Sequence, residues 1–355
     1  MLYCRVNAAV VAAVMGITDF SEEYMKLKRI TSVLMCAAVM GLSACGDGAG
    51  LAESVSKKSG KVSVVCTTFS CYDWSREIIG DKADEVELTY LLDKGADLHS
   101  YQPTAADIVK ISGCDVFVYV GGESETWAED ALKEASNKNM KVVRLLDTDG
   151  FDAKEEEVKE GMQAEEEEEG EAEEEPEYDE HVWLSVKNAE IMCGEIEKAI
   201  GEADPENASV YEQNCQAYTE KLSALDEQFA DMAANAKSKT IIFGDRFPFR
   251  YLCDDYGIDY YAAFVGCSAE TEASFETIAF LAEKADEIGA ETIFTIENSD
   301  GRVAQAIING RKDKSGEIAV LNSLQSVDKA QADSGVTYIS LMEENCETLK
   351  NALDR

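Results

Sequence analysis

Two histidines occur in the 355 residues of this chain, and each stands in a short patterned segment: GADLHSYQP around His99 and DEHVWLS around His181. Neutral imidazole is the commonest metal ligand and the usual proton shuttle near neutral pH, so both are candidates for chemistry. About eighty residues separate them, too far for one helix face. Loops at the carboxyl ends of neighbouring parallel strands would still bring them to one ion. Neither belongs to an HExxH segment, which argues against a zinc protease.

The segments around them must supply those loops. KVSVVCTTF is β-branched and reads as a buried strand, DWSREIIGD as a helix and VELTYLL as the next strand, with the His99 loop at its carboxyl end. TAADIVKISGC follows as a helix with Thr104 at its N-cap, then DVFVYVGG as a strand, TWAEDALKEASNK as a helix and KVVRLL as a strand. Alternation of this kind implies a parallel sheet flanked by helices. After His181, VKNAEIMCGEIEKAIGEAD is helical. A second helix is predicted from Pro205, with Tyr211, Cys215, Tyr218, Leu222, Leu225 and Phe229 at three- and four-residue spacings. TIIFGD, DYYAAF, TIFTIEN and IAVLNSL then alternate with helical RFPFRYLCDDYG, SFETIAFLAEKADEIG and VAQAIINGRKDKSG. The expected fold is α/β, two lobes with parallel sheets joined by a long rigid helix.

Composition narrows the partners. With 32 basic and 71 acidic residues the net charge is −39, which repels nucleic-acid phosphates and anionic membrane surfaces and concentrates cations. Residues 165–180 hold eleven glutamates and one aspartate. Such a run cannot bury a core, and 152–180 is expected to be a disordered, solvated insertion. Eleven cysteines are scattered without a CxxC pair, and none is assigned chemistry; Cys66 and Cys71 are close enough in sequence for a local bridge, or free.

Near the N-terminus, Met25 opens the basic MKLKR, Ile30–Leu42 is apolar, and LSAC ends in Cys45. That is signal-peptide order, and LSAC resembles a bacterial lipobox whose cysteine is lipidated. The expected organisation is 1–24 upstream of the true start, 25–45 signal peptide, 46–60 tether, 61–203 first lobe, 204–236 linking helix and 237–355 second lobe. The mature chain is then extracytoplasmic and lipid-anchored.

Over residues 61–355 the chain resembles the solute-binding lipoproteins of metal-ion ABC importers, in the zinc/manganese-binding cluster A-I class. GADLHSYQP resembles that family's G-x-D-x-H-x-Y-x-P segment and DEHVWLS its D-x-H-x-W segment; VYVGGESETW resembles its strand-to-loop segment after the first ligand, FGDRFPFRYLCDDYGID its third-ligand region and FTIENSDGRVAQAI its fourth. The resemblance implies a metal site in the interlobe cleft, with His99 and His181 as ligands. In the third-ligand region Gly244 stands at the aligned position, so Asp245 is the expected donor. For the fourth, Glu297 is expected ahead of Asp300, because a carboxylate ending an apolar strand needs a partner. Two imidazoles and two carboxylates suit Zn²⁺ and also Mn²⁺, with zinc preferred. The resemblance further implies a monomer that captures a metal ion and docks on an ABC permease. With no G-x-x-x-x-G-K loop in this chain, ATP hydrolysis falls to separate ATPase subunits. Glu123 and Glu125 read as exposed acids of that surface without an assigned role. Two competing readings are a secreted zinc-dependent hydrolase and a surface metal buffer or adhesin of the same fold.

Overall fold

The computed structural model describes residues 60–163, 177–268 and 272–354. Contacts divide the chain into Met1–Val55 and Ser56–Arg355, and every described residue belongs to the second unit. The expected leader and Cys45 lie outside the described residues, as does the glutamate tract from 164 to 176.

Two four-stranded parallel sheets form the frame. The first contains β1 (Val62–Cys66), β2 (Val86–Tyr90), β3 (Val116–Tyr119) and β4 (Lys141–Arg144), in spatial order β2-β1-β3-β4. The second repeats that order as β6-β5-β7-β8, with β5 (Thr240–Phe247), β6 (Asp259–Val265), β7 (Thr292–Ile296) and β8 (Glu317–Leu321). Every residue of β3 and of β7 is buried, as central strands covered on both faces require. In each sheet the order reverses beside the first strand, which places a crevice at the carboxyl ends there.

Helices α1 (Phe69–Ile79), α2 (Ala105–Gly113) and α3 (Thr126–Lys133) accompany the first sheet, and α4 (Val186–Ala203) leads to α5 (Ala208–Asn235). Thr104 caps α2 through a full capping box with Asp107. At 28 residues α5 is about 42 Å long, and it buries the predicted stripe from Tyr211 to Phe229. It starts at Ala208 rather than Pro205, because the Asp204 carboxylate accepts from Asn207 and Tyr211 and holds the intervening residues in a turn.

In the second lobe come α6 (Arg250–Tyr256), α7 (Phe275–Ile288), α8 (Arg302–Gly310), α9 (Lys329–Asp333) and α10 (Tyr338–Leu353). Arg246 and Phe247, expected in a helix, instead extend β5 past a register shift; Pro248 disfavours helical backbone at the residue before it. The last two helices had no sequence signal assigned. They fold back on the first lobe: the buried Asp73 carboxylate accepts the Tyr338 N–H at 2.7 Å, and the Trp74 and Tyr338 rings meet edge-on at 5.2 Å. One core therefore runs from Val64 through Phe229 to Leu349, and a smaller one around Ile242, Phe264 and Leu281 fills the far side of the second sheet.

Two expectations change. Residues 152–163 of the supposed solvated insertion form a strap between the lobes. Glu155 pairs with Tyr178, Gln163 pairs with Phe264 of β6, and Lys154 and Lys159 form ion pairs with Asp254 and Asp259. Glu125 is not an exposed acid: it is 1% exposed and its carboxylate accepts the N–H groups of Val120 and Gly121 at 2.7 and 2.8 Å. Burial pushes that carboxyl up to about 7. The native state thus keeps this proton to higher pH than the unfolded chain does. The contribution is full below about pH 4.5 and lost as pH rises through about 7, a difference of about 3 kcal/mol. Urea unfolding of Glu125→Gln should show a flatter dependence on pH from 5 to 8 than the parent. Identical slopes would remove Glu125 as the cause.

The eight described cysteines are all free. Cys66 meets the Ser75 hydroxyl at 3.3 Å and Cys71 accepts from Thr68, so each of this pair has its own partner. Among the described residues no helix is long and apolar enough to cross a membrane.

Candidate metal centre

His99 lies in a single 3-10 turn, Leu98–Ser100, after β2. The Asp97 carboxylate starts that turn by accepting the His99 N–H at 3.0 Å. Its imidazole Nδ1 lies 2.7 Å from the Ser124 hydroxyl, which leaves Nε2 for another partner.

His181 stands at the start of a second 3-10 turn, Val182–Leu184. Asp179 Oδ1 takes both its backbone N–H and its ring Nδ1–H at 2.9 Å, which fixes the tautomer with a lone pair on Nε2. The ring is fully buried and lies 5.2 Å, centroid to centroid, from Trp183 on one side and from His99 on the other. Trp183 and Leu184 anchor it in the core, and the indole N–H reaches the Ser323 carbonyl of the second lobe at 2.9 Å.

The two Nε2 atoms face each other at 3.2 Å. Tetrahedral zinc, with bonds of about 2.0–2.1 Å to nitrogen, sets its ligand atoms about 3.3 Å apart. The pair is already spaced for such an ion. Burial, the neighbouring His181 and the Arg246 guanidinium push His99 down to about 3, so at neutral pH the ring is uncharged. Negative charge stands behind the pair: Glu180 accepts the Ser124 N–H at 2.8 Å, and its second oxygen, 3.7 Å from His99 Nδ1, has no hydrogen-bond partner among the described residues.

A third donor was not singled out in the sequence. Cys267, in the loop after β6, offers a sulfur that lies with one nitrogen of each histidine inside a mutual 4.8 Å. Its signal was position: it follows Gly266 at the carboxyl end of a parallel strand, where such folds bind ligands. Burial, then the charges of Glu156, Glu180 and Asp179, push its thiol well above the usual range.

Asp245 and Glu297 join no group of mutually close metal donors among the described residues. Gly244 explains the first region: a Cβ there would lie 2.6 Å from the Ala304 backbone, so α8 packs directly on β5 and excludes a side chain at the aligned position. Asp245 accepts its neighbour's N–H at 2.9 Å, while Arg246 crosses to pair with Asp97. Both Glu297 oxygens are engaged, accepting Ser323 N–H, Ser323 hydroxyl and Ser326 N–H at 2.7, 2.8 and 3.3 Å. Asp300 is exposed and paired with Arg302. Glu297 therefore holds the loop after β8. Glu297→Gln should retain zinc affinity within about threefold while losing about 1–3 kcal/mol of stability. Calorimetry and urea unfolding separate the two, and a large loss of affinity alone would return Glu297 to the ligand set.

A family model described as the periplasmic component A of a zinc-uptake complex matches residues 64–352. Zinc-binding lipoprotein AdcA of Streptococcus pneumoniae is 31% identical over 334 residues, which are 93% of this chain and 62% of that protein. The high-affinity zinc uptake system protein ZnuA of Bacillus subtilis is 32% identical over 324 residues, 90% of this chain and 96% of that one. The chain thus spans less than two thirds of the length of the streptococcal relative. Among solved structures, the Zn(II)-bound ZnuA-like domain of S. pneumoniae AdcA superposes with a TM-score of 0.65 at 28% identity, covering 83% of this chain and 100% of that one. The B. subtilis metal-dependent lipoprotein YcdH gives 0.67 at 29% identity, with 83% and 100% covered.

Proposed function

The chain belongs to the periplasmic zinc-uptake component A family, and from that membership we propose that it captures a divalent metal ion, zinc foremost, outside the cytoplasmic membrane and delivers it to an ABC importer. The observation that carries this reading is the pair of imidazole Nε2 atoms facing each other at 3.2 Å, each held from behind through Nδ1. Partners fixed at Nδ1 save the cost of orienting each ring when the ion arrives. His99 and His181 are the anchoring ligands.

Capture fits the frame. One core runs through both lobes alongside α5, and the strap and the Asp97–Arg246 ion pair tie them further, so loading takes local adjustment rather than wide opening. A membrane permease would read the loaded form and separate ATPase subunits would drive import. Lipidation at Cys45 would hold the protein, as a monomer, near that permease. The hydrolase alternative is not favoured: the family match spans residues 64–352 and names uptake.

Metal analysis of the purified full chain, followed by Zn²⁺ titration calorimetry, tests the proposal. One tightly held equivalent is expected, with no turnover of ester or peptide substrates. Failure to retain zinc, or turnover of such substrates, would overturn it.

A further inference from the structure

We propose that Cys267 is a metal ligand supplied by the second lobe, so that the captured ion is held by two imidazole nitrogens and one thiolate sulfur rather than by imidazoles and carboxylates. This deepens the uptake reading and rests on it.

Three observations converge on that sulfur. The donor atoms of His99, His181 and Cys267 lie within 4.8 Å of one another, and among the described residues no other group of three or more close donors contains a histidine. The backbone is brought to this place by construction. A Cβ on Gly266 would meet His181 Cε1 and the Phe247 carbonyl, each at 3.0 Å, so glycine lets the loop lie against the imidazole. The Cys267 N–H is then fixed by the Glu156 carboxylate of the strap at 2.9 Å. Finally, Cys267 is set apart from its kind: the other seven described cysteines are buried and it alone is partly exposed.

The donors expected from this lobe stand apart: α8 closes the aligned third-ligand position at Gly244, Asp245 joins no group of close donors among the described residues, and the Glu297 carboxylate is consumed by the Ser323 loop. A cation arriving from solvent therefore meets two fixed nitrogens and a sulfur that reaches it from across the cleft. Binding joins the lobes through the metal, with the thiol proton passing to water and a fourth position left for a water molecule.

The donor set also selects the cargo. Thiolate favours borderline and soft cations such as zinc and cadmium, whereas manganese prefers oxygen donors. Removing the sulfur should weaken zinc and cadmium by at least roughly tenfold and leave manganese little changed.

Cobalt(II) titration of the full chain tests the assignment, since a thiolate ligand adds a near-ultraviolet charge-transfer band to cobalt. The band is expected in the parent and in Cys346→Ser, and is expected to vanish in Cys267→Ser while cobalt still binds. Stoichiometric cobalt without that band in the parent, or a band that survives Cys267→Ser, would overturn the proposal and leave metal capture standing. Failure of the parent to bind any cobalt or zinc would overturn both. A second readout needs no variant: zinc should protect Cys267 of the parent from iodoacetamide, scored by peptide mass mapping, and unchanged alkylation with zinc bound would also overturn it.

Discussion

Alanine in place of His181 is expected to abolish tight zinc binding. Loss of a hydrogen-bond partner behind a metal-bound imidazole alone typically costs about 10–100-fold in metal affinity, and removing the ligand itself must cost more. The fall should exceed about 100-fold, with His99→Ala showing a loss of the same order. Asp179→Asn should fall inside the 10–100-fold range, because the ring remains but its Nδ1–H loses a charged acceptor at 2.9 Å. Competition against a calibrated chelator measures all three. Should His181→Ala bind zinc within threefold of the parent, the ion is held elsewhere and the facing imidazoles are incidental.

The second large effect is on the frame that presents His181. Trp183 is 1% exposed, lies tilted against the His181 ring, donates to the Ser323 carbonyl, and its own carbonyl accepts the Tyr338 hydroxyl at 2.7 Å. Truncation to alanine should cost about 3–5 kcal/mol through the cavity and the orphaned carbonyl. Trp183→Phe keeps most of the ring and loses only the N–H bond, so about 1–2 kcal/mol is expected. Urea midpoints rank the two. Zinc affinity should fall with Trp183→Ala beyond what the unfolded fraction explains, since the imidazole loses one wall. Equal midpoints for parent and alanine variant would show that this segment does not anchor the histidine.

The α/β alternation was legible because parallel strands buried on both faces leave continuous apolar runs, and the helix caps left local signatures such as Thr104 with Asp107. The histidines were legible for a similar reason: a carboxylate two residues before each, Asp97 and Asp179, fixes its backbone N–H. Legibility ended where the deciding partner lies far along the chain. Glu297 invited a metal reading as a carboxylate ending an apolar strand, yet its partners stand 26 and 29 residues later in the Ser323–Ser326 loop. Gly244 is dictated by the backbone of α8, and nothing near it in sequence says so. Cys267 was hidden by company: one thiol among eleven carries no pattern until the fold separates it from its buried relatives. The strap was masked by composition, because its acids looked like those of the glutamate tract, although 152–163 finds aspartate, tyrosine and backbone partners on the second lobe.

The return of α10 to the first lobe sets the order in which the molecule can be made. Asp73 is buried against the Tyr338 N–H, 265 residues later, and Trp74 is covered by the same tyrosine. Until that stretch emerges, α1 carries an uncovered indole and a carboxylate without its backbone donor. The earliest described helix is thus completed by the latest, and contacts of such sequence separation form slowly. A nascent chain of this design cannot complete its main core until its last helix has been made.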